Sequence, residues 1–207
     1  MNDVDLLSPE LETNIIKLAQ SLVRIKSLSG QEAEAIKFVA QTMEALGYDE
    51  VTIDAMGNIV GRIGSGAKTI LLDAHVDTVA VNDAAEWELP PFSGVVENGR
   101  LHGRGSVDMK SAVAAAIYAG LMAKKRGLAT GKTIYVSCTV MEEDCDGENL
   151  KHLFQELNLK PDYVVICEPS NNQIMLGHKG KAQIAIKTHG VSAHGAAPEK
   201  GLNAIYE

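Results

Sequence analysis

The chain has 207 residues, with 19 basic against 27 acidic side chains and a formal charge of −8 with histidines neutral. Hydrophobic residues at 45% and charged residues at 22% match a soluble globular protein and argue against disorder. The length suits one domain, or one plus part of another, and the acidic balance without a Lys/Arg cluster excludes a nucleic-acid partner.

Ser8-Pro9 opens a predicted helix with proline at its first position, and Leu11, Ile15, Leu18 and Leu22 follow at helical spacing. Ser29 with Glu32 reads as a capping box for a second helix with an apolar face of Ile36, Val39 or Ala40, and Met43, which Gly47 stops. Val51 to Ile53 and Ile59 to Ile63 read as strands joined by a turn at Met56-Gly57-Asn58. Thr69 to Asp73 is a buried-strand run, and a long loop then extends to Gly105. Lys110 to Arg126 is an alanine-rich helix, Thr133 to Val140 a strand, Gly147 to Leu157 a helix and Tyr163 to Cys167 another strand. Strands alternating with helices predict an α/β fold with a mostly parallel sheet sandwiched by helices. From Lys181 the texture shifts, and Gln183 to Lys187 alternates like a half-exposed strand, so a second domain is expected to begin near residue 180.

With aromatics at only 4%, aliphatic and alanine side chains must build the core. The longest uncharged apolar run, Ala112 to Ala123, is too short to span a bilayer, which needs roughly 20 residues. The acidic start Met1-Asn2-Asp3-Val4-Asp5 lacks a signal-peptide core. Cys138, Cys145 and Cys167 form no CxxC pair and read as reduced thiols of a cytoplasmic protein.

In open α/β sheets ligands bind beyond the carboxyl ends of the strands. Here Leu71-Leu72-Asp73-Ala74 delivers His75 and Asp77, Val136 to Met141 delivers Glu142 and Glu143, and Val164 to Cys167 delivers Glu168. Asp108 is expected at the start of the alanine-rich helix, where a carboxylate is favoured. Each residue alone has an ordinary structural reading. So many acids at one edge would repel one another, and a bound cation removes that problem. Three carboxylate ligands and one hydroxide would neutralise two divalent ions. Oxygen and imidazole donors without thiolate suit zinc, cobalt or manganese. Asp77 is placed to accept the second N–H of His75 and fix its tautomer, and Glu142 to take a proton from water. Dinucleotide and phosphate-loop patterns fail at Gly103 to Asp108 and at Gly127 to Thr133, and neither HExxH nor GxSxG occurs.

Several segments carry a resemblance: Asp73-Ala74-His75-Val76-Asp77-Thr78-Val79, Trp87 through Pro91-Phe92, Gly99 through Lys110, Glu142-Glu143, Glu168-Pro169, and Ser192-Ala193-His194-Gly195 with Pro198, Gly201, Asn203 and Ala204. In order and spacing they resemble the dinuclear zinc hydrolases that include acetylornithine deacetylase, succinyl-diaminopimelate desuccinylase, aminoacylase and carboxypeptidase G. The resemblance implies that His75, Asp108 and Glu168 hold one metal, and that Asp108 bridges to a second also bound by Glu143. It implies that Asp77 orients His75, that Glu142 is the general acid/base, and that His194 steadies an oxyanion from a lid. Residues 1–178 are then the catalytic domain, and 179–207 open an inserted α+β lid through which the protein pairs as a homodimer. The family's last metal-binding histidine comes after the lid, and His102, His152, His178 and His189 do not match it. The chain is therefore expected to end inside the lid and to be inactive by itself. The implied activity of the parent protein is hydrolysis of an amide bond in a small N-acyl amino acid or short peptide, by a hydroxide bridging two zinc ions. The competing class is a non-catalytic metal-binding or dimerisation module. Glu142 argues against it, since a scaffold needs ligands but no spare base beside them.

Overall fold

The computed structural model describes residues 8–182 and 184–206, so the acidic start at Met1 to Asp5, Gln183 and the terminal Glu207 lie outside the described residues. Helix α1 (Pro9–Arg24) begins where the Ser8 hydroxyl accepts the Leu11 N–H at 3.2 Å, and it buries Leu18, Ala19, Leu22 and Val23. Helix α2 (Ala33–Ala45) buries Ile36, Val39 and Met43, and the chain leaves it through Gly47 at φ +79°. The expected capping box is not formed. The helix starts after Glu32, whose side chain makes no cap hydrogen bond, because both of that box's side chains are engaged elsewhere: Ser29 donates to Asp77, and Glu32 accepts the N–H groups of Gly30 and Met141.

Strands β1 (Glu50–Ile53) and β2 (Ile59–Gly64) form a hairpin. Its turn is held by Asp54, one of whose oxygens accepts the N–H groups of Met56, Gly57 and Asn58 at 2.8–3.0 Å. Strand β3 (Lys68–His75) runs two residues beyond its apolar core, to His75. The segment that reads as a loop contains a second hairpin, β4 (Val95–Glu97) and β5 (Arg100–His102). Helix α3 (Ser111–Lys125), strand β6 (Lys132–Thr139), the short α4 (Glu142–Cys145), α5 (Glu148–Glu156) and β7 (Tyr163–Ile166) complete the order. The sheet order is β1-β2-β6-β3-β7. Strands β6, β3 and β7 are parallel neighbours, and β2 alone runs against the rest, so the sheet is mixed with four of its five strands in one direction.

The small side chains of α3 let it lie close to β2, β3 and β6, and α1 packs over α3. Its buried face is Val113, Ala114, Ala116, Ile117, Gly120 and Leu121. Ile59, Ile63, Val76, Val136 and Cys138 complete one continuous core with α1 and α2. Tyr48 reaches into that core and donates its hydroxyl to the Ile117 carbonyl at 2.7 Å. Among the described residues no helix is long and apolar enough to cross a membrane.

The chain separates into two compact units, one ending at Ile174 and the other beginning at Met175. In the second unit the described residues 184–187 form no strand, and Ile184 and Ile186 are exposed, so alternation alone does not produce one. What does form is an isolated antiparallel bridge between Val191 and Leu202 around a single 3-10 turn, Pro198–Lys200.

Candidate metal centre

Because β6, β3 and β7 are parallel, their carboxyl ends lie along one edge of the sheet. His75 is the last residue of β3 and pairs in register with Thr139, the last of β6. Past β6, Val140 and Met141 turn the chain, with Met141 in the left-handed region at φ +56°, and α4 opens with Glu142 and Glu143. Past β7, the Cys167 N–H donates to the Asp73 carbonyl at 2.8 Å, and Glu168 comes next. The fourth acid, Asp108, precedes α3 by three residues in an extended conformation (φ −119°, ψ 99°) and joins Met109 through a cis peptide. It lies just before the start of the helix rather than at it, since Lys110 occupies the position that precedes the first residue of α3.

Three of the four acids stand close to one imidazole nitrogen, and Glu143 clusters beside them. His75 Nε2 stands 3.0 Å from Asp108 Oδ1, 3.5 Å from Glu168 Oε1 and 3.8 Å from Glu142 Oε2. Donor atoms of His75, Asp108 and Glu143 lie within 4.8 Å of one another, and so do those of His75, Glu142 and Glu168. The imidazole is buried while the acids around Nε2 are partly open to solvent. The structure thus brings together every acid read from the strand ends, Glu142 included. His194 belongs to the second unit, where it is exposed and its Nδ1 accepts the Ala196 N–H at 3.2 Å.

The other ring nitrogen is committed. His75 Nδ1 faces the Asp77 carbonyl at 3.0 Å and the Asp77 carboxylate at 3.3 Å, two acceptors, so Nδ1 carries the hydrogen. Asp77 is fully buried and saturated: it also accepts from the Ser29 hydroxyl and from the N–H groups of Glu142 and Glu143. Burial alone would raise its pKa, but those donors hold it below the usual carboxylate range.

A ring with Nδ1–H presents a lone pair at Nε2, and here that lone pair meets carboxylates. Without a cation the conflict is resolved by protons. Burial pulls the His75 pKa down, yet Asp77, Glu168 and Glu142 outweigh it and raise it to about 9. Burial, with Asp108, Glu142 and Glu143 nearby, pushes Glu168 up to about 7. The carboxyls of Glu142 and Glu143 are raised by burial and by neighbouring acids. One imidazole and several carboxylates, with no thiolate, form a donor set that fits zinc, cobalt or manganese, and a cation there would relieve this crowding.

A second group, Asp54, His152 and Glu156, also clusters within 4.8 Å, but its acceptors are spent on protein donors. Asp54 binds its own turn, Asn58 and His152, and Glu156 accepts the Ala55 N–H. That cluster locks the β1–β2 turn.

Sequence reasoning missed Ser29 and Glu32 as supports of the site, along with the buried amides Asn58 and Asn149, which bracket Val140. The only signal for Asn58 was its place in a turn.

The family model "Peptidase family M20/M25/M40" matches residues 71–201, a span that includes all of these metal-centre acids and His75. The YgeY protein of Escherichia coli strain K12 is 36% identical over 198 residues, 96% of this chain and 49% of that protein. A succinyl-diaminopimelate desuccinylase of Methylobacterium nodulans is 33% identical over 208 residues, 92% of this chain and 52% of that enzyme. The crystal structure of the YXEP protein of Bacillus subtilis, described as a dinuclear metal binding peptidase, aligns with a TM-score of 0.60 at 18% identity, over 77% of this chain and 43% of that one. The chain spans about half the length of the curated relatives it matches. With the family model matching most of the chain and a relative 36% identical along nearly all of it, the chain belongs to peptidase family M20/M25/M40.

Proposed function

We propose that the protein is a metal-dependent hydrolase that cleaves an amide bond in a small N-acyl amino acid or short peptide. The observation that carries this reading is His75 Nε2, whose lone pair is fixed by Asp77 toward Asp108, Glu142 and Glu168. His75, Asp108 and Glu168 would hold one ion, and Asp108 with Glu143 would hold part of a second. The chemistry such a pair supplies when bound is polarisation of the amide carbonyl and acidification of a water. Zinc is the proposed metal, with cobalt or manganese able to replace it.

Glu142 takes a proton from the attacking water and returns it to the leaving nitrogen. Its backbone N–H is pinned by Asp77, which also fixes His75, so base and ligand share one brace. His194 is proposed as a hydrogen-bond donor to the developing oxyanion, and residues 179–207 as the start of a lid that pairs in a cytoplasmic homodimer. The desuccinylase and peptidase relatives support an amide substrate with a carboxylate-bearing acyl group or a short peptide.

The test is made on the whole protein. Elemental analysis should find zinc-type metal, a chelator should abolish hydrolysis of N-succinyl and N-acetyl amino acids and dipeptides, and zinc or cobalt should restore it. Full turnover by protein shown to be metal-free would overturn the proposal.

A further inference from the structure

Glu142 and Glu143 sit at the mouth of a turn that has no repeating backbone pattern of its own, and their direction is set by Val140 and Met141. Met141 takes a positive φ of 56°, a conformation uncommon for a residue with a side chain. Glu32 accepts the Met141 N–H at 3.0 Å, and two buried amides hold Val140 just before it. Asn58 Oδ1 accepts the Val140 N–H at 3.0 Å, and Asn149 Nδ2 donates to the Val140 carbonyl at 2.9 Å, so both polar groups of Val140 are gripped by side chains. The amides are also tied to each other: Asn58 Nδ2 donates to the Asn149 carbonyl at 3.1 Å and to Asp54 Oδ2 at 2.8 Å. A carboxylate can only accept, so Asp54 decides which way the Asn58 amide faces and leaves its oxygen toward Val140. Asn149 Oδ1 accepts the Leu150 N–H at 2.8 Å, which fixes the second amide in the same sense. Both asparagines are buried, at 0% and 1% exposure, where neither can exchange its partner for bulk water.

We propose that Asn58 and Asn149 are positioning residues that hold the Val140–Met141 turn and thereby aim Glu142, the proposed base, at His75. The assignment of that role rests on the proposed hydrolase function; the clamp itself rests on the hydrogen bonds around Val140. In the clamp each amide uses a donor and an acceptor at once. Replacing Asn149 by aspartate keeps the shape but sets an oxygen against the Val140 carbonyl. Replacing Asn58 by aspartate sets one against Asp54.

The experiment compares the whole metal-loaded protein with Asn149→Asp and Asn58→Asp variants, alone and combined with Glu142→Gln. Hydrogen–deuterium exchange should rise in the segment 140–146 and stay unchanged in β3 and α3. Metal content should be retained, kcat should fall ~10–100-fold with KM within ~3-fold, and the same change should cost less than ~3-fold in the Glu142→Gln background, because groups acting through one another are not additive. If the aspartate variants do not fold, Asn149→Ser, which leaves room for a bridging water, replaces them and should show the same local exchange with a smaller kinetic loss. Unchanged exchange at 140–146, exchange raised throughout the domain, or an equal loss in the Glu142→Gln background would overturn the positioning role. A wild-type protein without metal-dependent hydrolysis would overturn the proposed function instead, and would leave the exchange result to decide the clamp.

Discussion

Asp77 meets His75 twice at the same nitrogen, with its backbone carbonyl 3.0 Å and its carboxylate 3.3 Å from Nδ1. The same carboxylate accepts the N–H groups of Glu142 and Glu143 at 3.0 and 3.2 Å and the Ser29 hydroxyl at 2.7 Å. One buried anion therefore fixes the tautomer of the histidine at the end of β3 and the start of the helix beyond β6. No oxygen of Asp77 is left over to act as a ligand.

Asp77→Asn tests that brace. Whichever way the amide faces, its NH2 group opposes at least one of those donors. Metal affinity should fall roughly 10–100-fold, as for other substitutions behind a ligating histidine. Competition with a chromophoric chelator measures it, and an unchanged dissociation constant would remove Asp77 from the metal-supporting role.

Glu142→Gln and Glu143→Ala should separate base from ligand. The first is expected to keep both metals and lose at least ~100-fold in kcat. The second should lose part of the metal before any comparison of rates is meaningful. Turnover near the wild-type value in Glu142→Gln would place the proton transfer on another group.

Lys110 is completely buried, and its ammonium donates to the carbonyls of Leu22 and Ile25 at the end of α1, at 3.0 and 2.6 Å. The positive charge also suits the negative end of the helix dipole. Lys110→Met keeps most of the volume but strands both carbonyls, and should destabilise the fold by about 3 kcal/mol. A urea midpoint equal to that of wild type would mean that α1 ends without this anchor.

Tyr48 gives a pH signature far from the metal centre. Burial, with the nearby Cys138 thiol, holds its hydroxyl well above the ordinary tyrosine range. A pKa raised in the folded state means full stability below the unfolded value of about 10 and loss of stability as pH climbs past it. Tyr48→Phe should cost about 1 kcal/mol near neutrality and flatten the decline between about pH 10 and 11, read from denaturant midpoints across that range. Identical alkaline slopes would assign the decline to other groups. A methyl at Gly120 would overlap the Tyr48 hydroxyl, so Gly120→Ala should destabilise by about 1–3 kcal/mol.

The apolar runs of β3 and β6 and the alanine face of α3 were legible because burial on a central sheet leaves a continuous hydrophobic imprint. The acids after those runs were legible with them, since residues just past the carboxyl end of a buried strand lie where an open α/β sheet binds its ligands. The position of β2 between β1 and β6, against the common direction, leaves no such imprint, because either orientation buries the same side chains. The hairpin β4–β5 does carry a signal, Asn98-Gly99 at φ +51° and +73°, inside a stretch punctuated by proline and glycine. Ser29 was misread because its link to Asp77 spans 48 residues of chain, and local spacing holds no information about it. Asn58 and Asn149 are invisible in the same way: their meaning lies in Val140, which neither adjoins.

His75, Asp108, Glu143 and Glu168 come from separate strand ends and loops, so they meet only after β3, β6 and β7 have paired. An unfolded chain offers a cation scattered single donors. By mass action such a cation weights the scale toward the folded form, by about 2.7 kcal/mol at a hundred times its dissociation constant. Melting temperature then becomes a function of free metal concentration. A cell that withholds the ion would carry less folded protein as well as less active protein, with supply of the element setting how long each copy survives proteolysis.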